Sequence, residues 1–154
     1  LEYFDAFPNS FGSFVEIFGN LSEDSKGFKP APLYDESHLY VQAFFKLSSI
    51  DRSVYFNKII NVCVGGNWDS DAISQFQHEM KIMINQSFES FNHSLSKRSD
   101  NEIKSFWHFY FDGPHPPENL PKELEQIKEL NEQVYFLMMS ALKEVQEDWG
   151  EHGH

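Results

Sequence analysis

A chain of 154 residues carrying 24 acidic against 12 basic side chains, a formal net charge of -12, has the size of one domain and the wrong sign for gripping phosphate backbones or anionic lipid heads. Its single cysteine, Cys63, excludes an internal disulfide framework and suits a reducing compartment, so the chain is expected in the cytoplasm. No run approaches the ~18 apolar residues needed to cross a bilayer, which argues against membrane insertion.

In chain order, Asn9 or Ser10 opens a short helix through Phe18 that Gly19 closes. The segment from Asn20 to Leu33, with Gly27, Pro30 and Pro32 among polar residues, reads as a surface crossing or a mobile arm. Asp35 or Ser37 precedes a helix through Leu47. Asp51 is placed to cap a segment reaching Val64 and ended by Gly65-Gly66, with Val54, Tyr55, Ile59, Val62 and Cys63 inward. The β-branched run from Ile59 to Val64 also suits a strand, but helix is preferred.

Two long amphipathic helices dominate the rest. Over 70–96 the apolar positions Ile73, Phe76, Met80, Met83, Ile84, Phe88, Phe91 and Leu95 advance by threes and fours, with Asp69 or Ser70 as cap. Over 121–149 Leu124, Ile127, Leu130, Val134, Leu137, Met138, Ala141, Val145 and Trp149 do the same, with Pro121 suited to the first position and Gly150 to the stop. Between them, Ser99 and Glu102 have the spacing of a capping box that opens a helix through Phe111. The run Asp112-Gly113-Pro114-His115-Pro116-Pro117 then forms a stiff elbow, because its prolines remove backbone donors and Asp-Gly turns the chain. The expected fold is all-α: a single compact bundle of about six helices, one domain over 1–154.

The residues that could carry chemistry do not converge in sequence. The seven histidines show no zinc-like spacing: His78-Glu79 lacks the second histidine that would stand at Ile82, and the terminal 151–154 run suits only loose copper or nickel capture. Cys63 falls on an apolar helix face, where an inert thiol is expected. Neither a nucleophile elbow nor a phosphate-binding glycine loop occurs. No metal, cofactor or catalytic centre is therefore expected. An enzymatic reading would need His108, His115 and Asp112 gathered in one cleft.

Two features point instead to binding. From Glu118 onward acids outnumber bases, concentrated on what should be the polar face of the last helix. Next to it, Phe106-Trp107-His108-Phe109-Tyr110-Phe111 places aromatic rings right round a helix, so either neighbouring helices cover them all or some form an exposed patch. An aromatic patch with an acidic rim would resemble an interface hot spot in which rings anchor and charge steers.

In size, acidity, aromatic richness and lack of a catalytic motif, the chain resembles the small immunity proteins that bacteria pair with secreted antibacterial toxins. That resemblance implies a non-enzymatic inhibitor, an antitoxin that covers a basic toxin domain of nuclease type with an acidic helical face. Under it the partner-binding residues would be Glu129, Glu132, Glu144, Glu147, Asp148 and Trp149 of the last helix, with Trp107, Tyr110 and Asp112 near the elbow. The alternative is a small-molecule binding or sensing bundle with an aromatic pocket of Phe76, Met80, Met83, Phe106 and Tyr110.

Overall fold

The computed structural model describes residues 2–23 and 27–151. Among these the fold is all-α, with nine α-helices and one 3-10 turn. They are α1 (Glu2–Ala6), α2 (Phe11–Phe18), α3 (Ser37–Phe45), α4 (Arg52–Cys63), α5 (Asp71–Gln86), α6 (Phe88–Ser96), α7 (Asp100–Phe111), the 3-10 turn (Lys122–Leu124), α8 (Ile127–Leu130) and α9 (Glu132–Glu151). The tail of α4 is helical to Cys63, so burial on the bundle overrides the weak strand preference of its branched residues. α1 was not expected, being only five residues long, yet it drives Phe4 into the core.

Local capping explains several boundaries. Ser10 Oγ accepts from Ser13 N at 3.1 Å, Asp51 Oδ1 accepts from Ser53 N and Val54 N at 3.0 and 3.2 Å, and Ser99 Oγ accepts from Glu102 N at 3.3 Å. Ser70 occupies the cap position of α5 but makes no capping bond; its hydroxyl donates to Asp69 Oδ1 at 2.7 Å. Gly65, at φ 78, holds a left-handed turn that closes α4. Gly66 is held for a different reason: a Cβ there would lie 2.8 Å from carbons of both Phe11 and Phe109.

The two long helices are each interrupted. At Ser87 (φ -132, ψ 43) the 70–96 helix divides into α5 and α6, whose end carbonyls at Met83 and Ile84 both accept from Ser87 N. The break lets α5 pack on α3 while α6 turns toward α4 and α8. The spacing of four from Ile84 to Phe88 is preserved across it, so hydrophobic periodicity carries no sign of the division. In the 121–149 region, Asn131 (φ -161, ψ 105) ends α8 and caps α9, its Oδ1 accepting from Val134 N at 3.0 Å. The helix also runs through Gly150 instead of stopping there.

The second interruption has a topological cause. Gln133 donates to Asp100 near the start of α7, and Trp149 donates to Asp112 just past its end, so α7 and α9 run parallel. After α7 the chain must travel back along the pair before α9 can begin. The proline elbow, 3-10 turn and α8 make that return.

Buried side chains from every α-helix form one contiguous cluster, in which Phe14, Phe44, Phe76, Phe91, Phe106 and Phe109 are fully enclosed. The Asn20 to Leu33 segment is tied down as far as it is described. Asn20 Oδ1 accepts from Ser22 N and Lys29 N, and Ala31 N and Leu33 N donate to Gly19 O and Ile17 O. No helix among the described residues is long and apolar enough to cross a membrane.

Candidate functional site

The site is built along the α7–α9 seam. On the side of α9 that faces α7, Lys104 Nζ lies 2.5 Å from Glu144 Oε1 and His108 Nε2 lies 3.7 Å from Asp148 Oδ2. At the far end Asp112 acts as a clamp. Its Oδ2 accepts from Trp68 N and its Oδ1 from Trp149 Nε1, both at 2.7 Å, and the two indoles meet edge to face at 6.2 Å. Behind it, Gln77 Nε2 donates to the carbonyls of Phe109 and Asp112 at 2.7 and 2.8 Å. These bonds satisfy carbonyls that the end of α7 leaves without helical donors.

The opposite face of α9 is open. At 100° per residue, Glu132, Phe136, Met139, Lys143 and Glu147 fall on one strip pointing away from the buried positions Val134, Met138, Ala141 and Val145. Phe136 is 67% exposed, and Met139 is exposed beside it. Between this strip and the return segment runs a groove of about 580 Å³, lined by Glu118, Leu120, Phe136, Met139, Lys143 and Gln146. A second hollow of about 530 Å³, between Trp149 and Pro114, Pro116 and Pro117, shares Glu118 and Gln146 with it. Gln146 Nε2 donates to Pro117 O and Glu118 O at 2.9 and 3.0 Å, which fixes the elbow against α9 and forms the ridge between the hollows.

This arrangement redistributes the residues expected to bind a partner. Glu132 and Glu147 stand on the open strip, and Glu129 is exposed on α8. Glu144 and Asp148 are turned toward Lys104 and His108, yet their side chains remain 48% and 63% exposed, so both still face solvent along the seam. Trp149 is half-buried and held by Asp112, leaving part of its ring to line the second hollow. Asp112 itself is spent on the clamp, with both oxygens accepting internal donors.

Trp107 and Tyr110 are not surface anchors. They are 1% and 3% exposed, because neighbouring elements cover the whole circumference of α7 except the half-exposed His108 in the 106–111 run. Lys81 Nζ caps the Tyr110 ring at 5.0 Å, and burial pushes the Tyr110 phenol well above its usual pKa, with Glu123 adding to the shift. Trp107 Nε1 is buried without an acceptor. The proposed interior pocket is likewise filled: Phe76, Met80, Met83, Phe106 and Tyr110 all belong to the packed core. Cys63 is fully buried 3.3 Å from Met80 Sδ, and desolvation raises its thiol pKa well above the usual value.

Phe136 and Met139 were missed by the sequence reading, although a signal existed. They are apolar residues standing off the buried stripe of α9, where a solvated face would carry polar side chains. No group of three or more His, Cys, Asp or Glu is arranged to hold a metal among the described residues. The side chains of the terminal 151–154 run lie outside them.

No protein-family model, curated protein or solved structure matches the chain.

Proposed function

We propose that the protein is a non-catalytic inhibitor that binds a basic partner protein through the outward strip of α9. The observation that carries this reading is Phe136, a phenylalanine two-thirds exposed at the edge of a groove that Glu118 also lines, with Glu132 and Glu147 at the two ends of the same α9 strip. Large exposed rings beside apolar hollows are typical of interface anchors, and rim carboxylates accelerate encounter with a positive surface. Lys143 lies within the strip, so a fitting partner offers an acid or carbonyl at that point among its basic groups.

The overall charge of -12 and the resemblance to immunity proteins favour a nuclease-type toxin domain as that partner, since such an enzyme is positive where it holds phosphate. The lone buried cysteine fits action in the bacterial cytoplasm. The same charge disfavours direct nucleic-acid binding.

The test is a binding titration against the product of the adjacent gene at low and high salt. Nanomolar association is expected, with an on-rate that falls steeply with salt and falls further in Glu132→Lys/Glu147→Lys. Phe136→Ser should speed dissociation by about 30-fold, as for an anchor worth about 2 kcal/mol. Absence of association at any salt refutes the reading.

A further inference from the structure

Away from α9, the first three helices and the loop at Leu33 line a half-open cavity of about 270 Å³ whose walls include Tyr3, Phe7, Ile17, Phe18, Leu33 and Tyr40. Four of these are aromatic and form a closed circuit. Ring centroids are 6.4 Å apart from Tyr3 to Phe7, 5.9 Å from Phe7 to Phe18 and 5.7 Å from Phe18 to Tyr40. The circuit is completed by the Tyr3 hydroxyl, which donates to the Tyr40 carbonyl at 2.6 Å. Local sequence sets this up: Tyr3 and Phe7 are one turn apart on and just beyond α1, and Phe18 ends α2. The Leu33 wall is fastened by Leu33 N donating to Ile17 O at 2.9 Å. The cavity is therefore held open by bonds already made, not created by side-chain rearrangement.

Its chemistry restricts what can enter. No lysine, arginine, aspartate or glutamate is among the lining residues, so a charged ligand would be desolvated without a counter-charge. The polar side-chain groups are the tyrosine hydroxyls. Burial raises the pKa of Tyr3, with Tyr40 contributing, so this hydroxyl remains neutral. Since its proton is committed to the Tyr40 carbonyl, its oxygen is the part left to serve a ligand, as an acceptor. An apolar cavity on the order of 150 Å³ holds one benzene ring, so about 270 Å³ suits two fused rings.

We propose that this cavity is a binding site for a small, uncharged, flat aromatic molecule of two fused rings that donates one hydrogen bond to the Tyr3 hydroxyl oxygen. It is independent of the α9 surface and of any inhibitory role.

Indole has this shape and donor, and serves as the probe. Titration of the full chain by isothermal calorimetry and protein-observed NMR should give saturable binding, with shifts confined to α1, α2, α3 and the loop around Leu33. Choline and indole-3-acetate should bind at least about tenfold more weakly, a difference that corresponds to about 1.4 kcal/mol. Ile17→Trp fills the cavity from a half-exposed position and should abolish binding. Leu33→Trp fills it from the loop side and gives the same reading should the first variant fail to fold. Tyr3→Phe removes both the acceptor for indole and the bond to the Tyr40 carbonyl, so it should weaken indole about fivefold more than it weakens naphthalene, which shares only the second loss. No saturable shift up to the solubility of indole, undiminished binding in a folded cavity-filled variant, or choline binding more tightly than indole would each overturn the proposal.

Discussion

Asp112→Ala tests whether the clamp at the end of the α7–α9 pair is a major source of stability. The substitution removes two hydrogen bonds to a carboxylate, from Trp68 N and Trp149 Nε1, each 2.7 Å long and part-buried. Bonds to a charged group contribute about 1.5–3 kcal/mol each, and the partial exposure of this pair places them toward the lower end. The expected loss is therefore about 3–4 kcal/mol, from a total stability of about 5–15 kcal/mol. For a domain of this length each kcal/mol lowers the melting temperature by about 2–4 °C, so a fall of roughly 6–16 °C is expected. Asp112→Asn should lose about half as much, because its one amide oxygen can serve only one of the two donors well. Thermal unfolding followed by circular dichroism measures both. A double-mutant cycle with Trp149→Phe isolates the indole bond and should show a coupling of about 1 kcal/mol or more. If Asp112→Ala melts within about 2 °C of the parent, the clamp is incidental and the reasoning fails.

Three further outcomes follow from the packing. Gln77→Leu leaves the Phe109 and Asp112 carbonyls without the donor that now serves both, and chemical denaturation should show a loss of about 2–4 kcal/mol. Gly66→Ala forces a methyl against the Phe11 and Phe109 rings, with Cys63 O also 2.9 Å away; a loss of about 2 kcal/mol or more is expected in the same assay, and a loss below about 0.5 kcal/mol would mean the rings yield freely. Asp69 has its pKa raised by burial, so the stability it contributes is fully present below its unfolded pKa and is lost as pH rises through the higher folded value. Asp69→Asn carries no such charge, so its melting temperature should gain on the parent as pH rises above the ordinary carboxylate range, and a difference that stays constant with pH would contradict the assignment.

The all-α fold was legible in the sequence because hydrophobic spacing reports directly which side of each helix is buried. The interruptions were hidden for two different reasons. At Ser87 the apolar spacing continues unbroken, and the division becomes useful only because α5 and α6 pack on different neighbours. At Asn131 a residue with cap chemistry was present, but its significance depends on α7 and α9 being parallel, a relation between distant segments that no local window contains. The aromatic belt of α7 posed a choice between burial and exposure. Its resolution required knowing that α4, α9 and the α5 side chain of Lys81 surround it.

The candidate surface was legible in part. Acidic positions on α9 could be listed from the sequence, but their division into Glu132 and Glu147 outward and Glu144 and Asp148 toward α7 follows from helix rotation. On the helix wheel about 60° separates Glu147 on the open strip from Glu144, whose exposed carboxylate meets Lys104. Phe136 and Met139 stood out only as apolar residues in excess of what the buried stripe requires.

The parallel run of α7 and α9 also has an electrostatic consequence. In antiparallel neighbours the peptide dipoles largely cancel, whereas here both point the same way and both carboxyl-terminal ends emerge beside the proline elbow. Glu147 and Asp148 add full negative charge to the partial charge of those two ends, while the hydrogen-bond donors nearby, Trp149 Nε1 and Gln146 Nε2, are turned inward. At the other end, Asp100, Glu102 and Glu132 lie at the amino-terminal turns, where the peptide field offsets their charge. Acids of equal formal charge therefore present unequal potentials to the solvent. Around these two helices, Glu147 and Asp148 at the elbow end are reinforced by the peptide field, and a positively charged molecule is drawn more strongly to them than to the acids at the amino-terminal turns.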